Sequence, residues 1–139
     1  MGLGADFDLR DPNVRAVLGL YEALNHRDFV ALQRQVSLDV TLHLGGSGPL
    51  AGTYQGMGEV IAVGMKVEDR FVPGASELES IEGNDRLVHT VVTVRLKSST
   101  GEAVPVRLVE RFRFDDQGRL REFWVDPEDP AALDSLLGW

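Results

Sequence analysis

The sequence predicts an α+β fold, and two patterns support this prediction. Asp11-Pro12 and Asp129-Pro130 mark helix starts near the two ends of the chain, because aspartate caps a helix and proline fits its first turn. Residues 75–127 read as a nearly continuous series of strands broken by short polar turns. Helices that come first and strands that follow in a meander are typical of α+β domains.

The N-terminal helices are predicted from caps and from the spacing of apolar residues. After Pro12 the apolar residues recur at helical intervals, which predicts a first helix over residues 12–25. Asp28 can cap a second, short helix. The residues expected on the buried side of that helix are Phe29, Leu32 and Val36. Residues 1–10 carry no such pattern and are read as a flexible leader.

A strand, a loop and a third helix complete the first half of the chain. The strand is predicted over residues 39–44, and the breaker-rich loop GGSGPLAG occupies residues 45–52. A helix over residues 58–71 follows, and its apolar stripe predicts the inner side. That stripe consists of Val60, Ile61, Val63, Gly64, Val67 and Phe71.

Four strands and a last helix make up the second half. The strands are predicted over residues 75–81, 86–97, 102–114 and 119–125, with turns at 82–85, 98–101 and 115–118. Tight turns require antiparallel neighbours, so these strands form a meander against which the helices can pack. A short helix is predicted over residues 130–137, and the whole chain, 1–139, reads as one domain.

Composition narrows the classes of protein and of partner. The net charge is −8 at pH 7, and the sequence lacks the Lys/Arg cluster that nucleic acid or an anionic membrane requires, so neither partner is expected. There is no cysteine, which excludes disulfides and thiol nucleophiles and is consistent with a reducing cytoplasm. The sequence shows no apolar run of membrane-spanning length and no signal peptide. We therefore expect a soluble, cytoplasmic protein.

The strand VPVRLVERFRF contains the first candidate for chemistry. Side chains alternate between the faces of a strand, so Glu110 shares one face with valines, a leucine and phenylalanines. A carboxylate in such surroundings is costly unless it is protonated, hydrogen-bonded or paired. Glu110 therefore has three alternative roles: an acid/base group in a cavity, a structural partner of a buried Tyr, His or backbone donor, or the ion-pair partner of an arginine at a cavity mouth. The opposite face carries Arg107, Arg111 and Arg113.

Strand parity also bears on the histidines. Along residues 86–97, His89 points outward, and the uncharged inner row consists of Val88, Thr90, Val92, Val94 and Leu96. His43 lies between Leu42 and Leu44, so we expect it to face a cavity only if these leucines pack under the helices. A structural histidine is the alternative to a ligand or acid/base role for His43.

Three segments of the sequence resemble a known family. They are YEALNHRDFVAL, DVTLHLGGSGPLAGTYQG and RLVERFRFDDQGRLREFW, and the resemblance covers residues 12–137. They are similar to the SnoaL-like branch of the nuclear transport factor 2-like superfamily, which includes ketosteroid isomerase and limonene epoxide hydrolase. The resemblance implies a cone-shaped barrel of cystatin-like topology, in which a strongly bent antiparallel or mixed sheet wraps around three N-terminal helices and an apolar cavity. It also implies a homodimer through the outer sheet face, where Arg107, Arg111 and Arg113 lie.

This sequence keeps one of the three catalytic groups of ketosteroid isomerase at the corresponding positions. The resemblance places its general base at Leu44, with His43 beside it, and its oxyanion-hole tyrosine at Leu20, one residue from Tyr21. Its second oxyanion donor, a protonated aspartate, falls at Glu110. The resemblance therefore implies a polar group, Glu110, inside the cavity. It does not imply the complete isomerase mechanism, because the other two catalytic positions hold leucine.

Limonene epoxide hydrolase is matched no better. The resemblance places its Arg-x-Asp pair at Val92 and Val94, and its further aspartate near Val125, next to Asp126. A bulge or a shift of one residue would bring Asp126 into place.

We therefore expect a protein that binds a small hydrophobic molecule in an apolar cavity without a cofactor. If it is an enzyme, the resemblance implies acid/base chemistry of the isomerase, cyclase or hydratase kind, with Glu110 as acid or oxyanion donor and His43 as base. The ligand-binding residues expected are Tyr54, Tyr21, Trp124, Asp126, Val92, Val94, Phe112 and Leu44. The alternative is a non-catalytic ligand-binding or dimerisation module. No metal is expected, because the three histidines lack ligand spacing.

Overall fold

The computed structural model of the chain describes residues 9–72, 77–84 and 86–137, so most of the expected leader lies outside the described residues. The first half contains α1 (Pro12–Asn25), α2 (Phe29–Gln35), β1 (Val36–Leu44), β2 (Gly52–Gln55) and α3 (Met57–Glu68). The second half contains β3 (Glu77–Asn84), β4 (Leu87–Lys97), β5 (Ala103–Phe114), β6 (Leu120–Pro127) and α4 (Pro130–Leu137). None of the helices described is both long enough and apolar enough to cross a membrane.

The strands in the described ranges form a six-stranded mixed sheet in the order β2-β1-β6-β5-β4-β3. Its neighbours are antiparallel except β1 and β6, which run parallel. The predicted α+β class is confirmed. The sheet is not closed, because β2 and β3 form its two edges. The parallel pair joins the first strand to the last, so that Leu44 lies beside Val125.

The caps predicted from the two Asp-Pro pairs are confirmed at α1 and α4. The Asp11 carboxylate accepts a hydrogen bond of 2.8 Å from the backbone N–H of Asn13. The Asp129 carboxylate accepts one of 3.1 Å from the backbone N–H of Ala132. These bonds satisfy backbone donors that have no partner within the helix. Both helices therefore begin and end at the predicted residues.

The elements around α2 depart from prediction. Leu32 and Val36 pack against the core as expected, but Phe29 is 46% exposed, and Val36 already belongs to β1. Val36 begins the strand because it pairs with Leu120 of β6, a partner 84 residues further along the chain that local spacing does not reveal. The sequence predicts no element for residues 53–57, directly after the glycine-rich loop, but residues 52–55 form β2 against β1.

Helix α3 also differs from its prediction. It ends at Glu68, and Phe71 instead makes an isolated bridge to Leu96 of β4. Of its predicted inner stripe, Val63 is buried, whereas Ile61 is 40% exposed. The helix is therefore not packed down on the sheet along its whole inner side. The predicted strand 75–81 is β3, and residues 75 and 76 lie outside the described residues.

Most of the buried apolar residues form two clusters on the inner face of the sheet. The first joins α1 to the sheet and consists of Val14, Val17, Leu20, Val40, Ile81, Val88, Phe112, Phe114 and Leu120. The second, over which Leu133 and Leu136 of α4 pack, consists of Val92, Val94, Leu96 and Leu108. Thr90 of β4 and Glu110 of β5, which are paired across the strands, lie between the two clusters along both strands.

A close approach of α1 to β3 fixes the first cluster. A Cβ added to Gly83 would collide with the Asp11 carboxylate and would lie 3.1 Å from a methyl group of Val14. Glycine at this position therefore allows the capped end of α1 to rest on the edge strand.

We expect Gly83→Ala to lower the free energy of unfolding by about 1–3 kcal/mol, because the added methyl group must displace the helix cap. Gly64→Ala is a control of opposite sign. Gly64 lies inside α3 with open space around its Cβ position, so alanine there should add about 1 kcal/mol. Urea unfolding of the two variants measures both effects. Equal changes in the two variants would contradict the close contact at Gly83.

Candidate functional site

The inner face of β5 contains one carboxylate. Glu110 is 9% exposed, whereas its neighbour Val109, on the opposite face, is 38% exposed. The alternation predicted from the sequence therefore holds: Glu110 faces the helices, with the buried residues Leu108 and Phe112 on either side of it along the strand. A carboxylate in this position requires polar partners.

Tyr21 and Thr90 are those partners. The Tyr21 hydroxyl, on α1, donates a hydrogen bond of 2.5 Å to Glu110 Oε1. The same hydroxyl lies 2.8 Å from the Thr90 hydroxyl on β4, and Thr90 is 1% exposed. The Tyr21 ring also stands edge-on to Phe112, with ring centroids 5.9 Å apart. Helix α1 and the hairpin strands β4 and β5 thus meet in a buried polar cluster, which we call the Tyr21–Thr90–Glu110 cluster.

Burial dominates the electrostatics of this cluster. It raises the pKa of Glu110 to about 7, because the charged form loses its hydration, and the hydrogen bonds from Tyr21 and Thr90 offset part of that rise. Burial and the adjacent Glu110 carboxylate raise the pKa of Tyr21 well above its usual range. The proton shared by the two residues therefore stays on Tyr21. Glu110 exchanges its own proton near neutrality, which suits a general acid or base.

A cavity of about 410 Å³ adjoins the cluster. Its wall is mostly apolar and includes residues from α1, α2, α3, α4 and the inner face of the sheet. Phe29, Ile61 and Met65 line it and are 46%, 40% and 60% exposed, so the cavity reaches the protein surface between α2 and α3. Glu110 and Tyr21 also line it. The cluster can therefore contact a molecule that enters from that side.

The predicted site residues separate into two groups. Glu110, Tyr21, Phe112 and Leu44 line the cavity. Val92 and Val94 are buried in the second core cluster, where α4 covers them. The Tyr54 hydroxyl donates a 2.6 Å hydrogen bond to the backbone carbonyl of Leu50, and it is Leu50, not Tyr54, that belongs to the described wall.

His43 and Trp124 lie on the outer face of the sheet. Leu42 and Leu44 line the cavity, so parity directs His43 away from it. The His43 ring stacks on Trp124 at 5.1 Å, and its Nε2 lies 2.5 Å from a Glu122 carboxylate oxygen. Its catalytic role stays an untested prediction, but the geometry does not bring His43 to Glu110.

Arginines complete this outer cluster. The guanidinium groups of Arg111 and Arg113 lie 4.7 and 5.6 Å from the centre of the Trp124 ring. Arg107, further along β5, pairs with Glu79 and Glu128. The three arginines thus share the outer face, as predicted, and the homodimer expected through it stays a prediction.

Asp126 is not among the described residues that line the cavity, but its carboxylate lies against Gly45, which does line it. A Cβ on Gly45 would collide with the Asp126 carboxylate, which shows that this carboxylate covers the end of β1. Within the described part of the chain, no three potential metal ligands form a group.

Sequence reasoning missed Thr90 as a member of the site. It placed Thr90 correctly in the inner row of β4, but a threonine in a strand is common and carries no signal of its own. The available signal was the cross-strand position of Thr90 opposite Glu110, which becomes visible once the register of the hairpin is known. Alignment with the isomerase tyrosine likewise favoured Leu20, whereas Tyr21 is the residue that reaches Glu110.

The comparison with protein families decides the assignment. The sequence model of the SnoaL-like domain matches residues 17–123. The chain belongs to the SnoaL-like domain family. That match includes the part of α1 that contributes Tyr21, and the strands that contribute Thr90 and Glu110. A comparison with curated proteins finds no match.

Solved structures with this SnoaL-like fold include several proteins of similar length. One is a nuclear transport factor 2-like protein of unknown function from Burkholderia pseudomallei, with a TM-score of 0.79, 25% identity, and coverage of 93% of this chain and 99% of that one. TerC, co-crystallised with polyporic acid, has a TM-score of 0.77, 19% identity, and coverage of 93% and 100%. IdmH, a putative polyketide cyclase from Streptomyces antibioticus, has a TM-score of 0.72, 22% identity, and coverage of 89% and 97%.

We expect Glu110 to make the stability of this SnoaL-like domain fall as pH rises. Its pKa is near 4.5 without burial and about 7 in the fold, so between these values the folded state binds more protons than the unfolded state. The contribution of Glu110 to the free energy of unfolding is complete below about pH 4.5. It falls by about 3 kcal/mol between about pH 4.5 and about pH 7, and it is constant above that.

Glu110→Gln removes this titration and keeps an oxygen that can accept from Tyr21. Between about pH 5 and about pH 8, the free energy of unfolding measured in urea should fall less for this variant than for the wild type. Glu102→Gln, at an exposed residue just before β5, is the control. Its free energy of unfolding should fall by as much as that of the wild type. The same fall in the free energy of unfolding for the wild type and Glu110→Gln would contradict the shifted pKa of Glu110.

Proposed function

We propose that this protein binds a small hydrophobic molecule in the cavity and transfers a proton on it through Glu110. The observation that carries this proposal is a carboxyl group with a pKa of about 7 in the wall of an otherwise mostly apolar cavity. A volume of about 410 Å³ lies within the range of about 300–1,000 Å³ that small-molecule sites occupy.

Glu110 can serve in both directions of a proton transfer. As a carboxylate it can accept a proton from an acidic C–H group of the ligand, and as a carboxylic acid it can return that proton to another carbon. Such a transfer shifts a double bond and needs one acid/base group. Tyr21 keeps the carboxyl in place through its 2.5 Å hydrogen bond to Oε1. A pKa close to the working pH keeps both forms of Glu110 populated.

Relatives of the same fold support an aromatic or polycyclic ligand. IdmH is described as a putative polyketide cyclase, and TerC was crystallised with polyporic acid. Cyclisation and isomerisation both involve proton transfer next to a carbonyl group. A mostly apolar cavity with a buried acid is suited to such ligands, since the wall excludes water while the acid supplies the reacting proton.

A second candidate function is ligand binding without catalysis. Tyr21 already occupies one oxygen of Glu110, as in a structural partnership, and the geometry directs His43 away from the cavity. Under this alternative, Glu110 would orient a ligand through a hydrogen bond and would not exchange a proton with it.

Two glycines of α3 provide a matched test of binding. Both Gly64 and Gly58 have open space around the position of a Cβ, and of the two Gly64 lines the cavity. We expect Gly64→Phe to fill the cavity and to weaken binding of the neutral fluorophore N-phenylnaphthylamine by about tenfold or more. Gly58→Phe should leave its affinity unchanged. Fluorescence titration measures both, and equal affinities of the two variants would place the probe outside the cavity.

Proton exchange tests the catalytic part. We expect the protein to accelerate exchange of the α-protons of β-tetralone in heavy water, followed by NMR, because Glu110 can accept them as a base. Glu110→Gln should reduce this acceleration by about a hundredfold or more, while N-phenylnaphthylamine still binds. The rate should rise with pH through about 7, as Glu110 ionises. Binding without any acceleration in the wild type would favour the non-catalytic alternative.

A further inference from the structure

We infer that the ligand of the cavity carries an anionic group, which Lys66 and Arg70 bind near the end of α3. The inference rests on the proposed function, because it assumes that a ligand occupies the cavity. It adds a substrate class: apolar molecules with a carboxylate or a similar oxyanion at one end.

Two cations belong to a wall that is otherwise mostly apolar. Lys66 lies in the last turn of α3, and Arg70 follows just beyond the helix. Both line the cavity. Their spacing of four residues is the spacing at which helical side chains are neighbours, so they can act on the same group.

Neither cation forms an ion pair with a carboxylate that the structure describes. The Arg70 guanidinium donates two hydrogen bonds, of 3.2 Å from Nε and 3.0 Å from Nη2, to the backbone carbonyl of Lys97. A carbonyl positions the guanidinium but leaves its charge and its remaining donors available. Among the described side chains, no carboxylate lies within ion-pair distance of Arg70 or Lys66.

Three other arginines of this acidic chain do form ion pairs. Arg86, Arg107 and Arg113 each pair with a carboxylate. Such partners are abundant in a chain with a net charge of −8. The helix dipole favours cations such as Lys66 at a C-terminus, but it does not explain why two of them line an apolar cavity. The wall also holds Asp134 on α4, whose carboxylate accepts a hydrogen bond from Ser47.

The two polar ends of the cavity are well separated. Glu110 is paired with Thr90 on β4, and Arg70 is bound to Lys97 at the end of the same strand. An extended strand spans roughly 20 Å between these positions. An elongated ligand is therefore expected, with its anionic group at Arg70 and its reacting group at Glu110.

A pair of fluorophores with the same aromatic body tests this inference. Anilinonaphthalene sulfonate carries an anion, and N-phenylnaphthylamine does not. We expect Arg70→Gln to weaken sulfonate binding by about tenfold and Lys66→Gln by about threefold, with no change for the neutral probe. Lys66→Gln controls for a folding defect, since the Lys66 side chain forms no hydrogen bond with the residues that the structure describes. Fluorescence titrations at low ionic strength measure all affinities.

Arg95→Gln is the matched control, because Arg95 is exposed on the outer face of β4 and its removal changes the net charge equally. Sulfonate affinity should not change in this variant. The anion site would be overturned if Arg95→Gln weakened sulfonate binding as much as Arg70→Gln does. It would also be overturned if one of the two variants Arg70→Gln and Lys66→Gln kept the sulfonate affinity of the wild type. In both cases the proposed cavity binding would stand as long as the neutral probe binds. Failure of the neutral probe to bind the wild type would instead overturn the proposed function.

Discussion

The burial of one carboxyl group is the constraint on which this structure depends. Glu110 lies between two apolar clusters, where an unpaired carboxylate would cost several kcal/mol. Tyr21 reaches it from α1, and Thr90 lies opposite it on β4. The cluster therefore fixes the position of the first helix over the sheet and at the same time holds an ionisable group against the cavity. Stability and proton affinity depend on the same three side chains, since burial sets both the cost of the charge and the pKa of Glu110.

The two faces of the sheet divide the polar chemistry between them. On the outer face, Glu122 contacts both His43 and Arg113, and Trp124 receives the His43 ring together with two guanidinium groups. These contacts pair several polar side chains of that face with one another. The strand period of two residues makes the division strict, because a side chain cannot change face without a shift in register. Acid/base capacity on the inner side of the sheet is thereby concentrated on Glu110.

The helices shape the cavity by not closing completely over the sheet. α3 contacts β1 and β2, and α4 covers the second core cluster. The sheet and the inner sides of the helices enclose a space that opens between α2 and α3, with exposed apolar residues at its rim, among them Phe29 and Met65. Such a rim costs solvation free energy in the empty protein. A ligand that covers these residues recovers that free energy, which is consistent with a binding site.

The sequence by itself determined the α+β class, both capped helices, the long strands β4 and β5 and the inward direction of Glu110, because caps and strand alternation are local. It did not determine the start of β1, the strand β2 or the outward direction of His43. These depend on the pairing of β1 with β6 and on which side of the sheet the helices occupy. Only the tertiary structure decided that Tyr21 and Thr90 meet Glu110, since the hydroxyl groups come from residues 89 and 20 positions away in the chain. The physical reason is that a hydrogen bond between distant segments follows from helix placement and strand register, which no local pattern encodes.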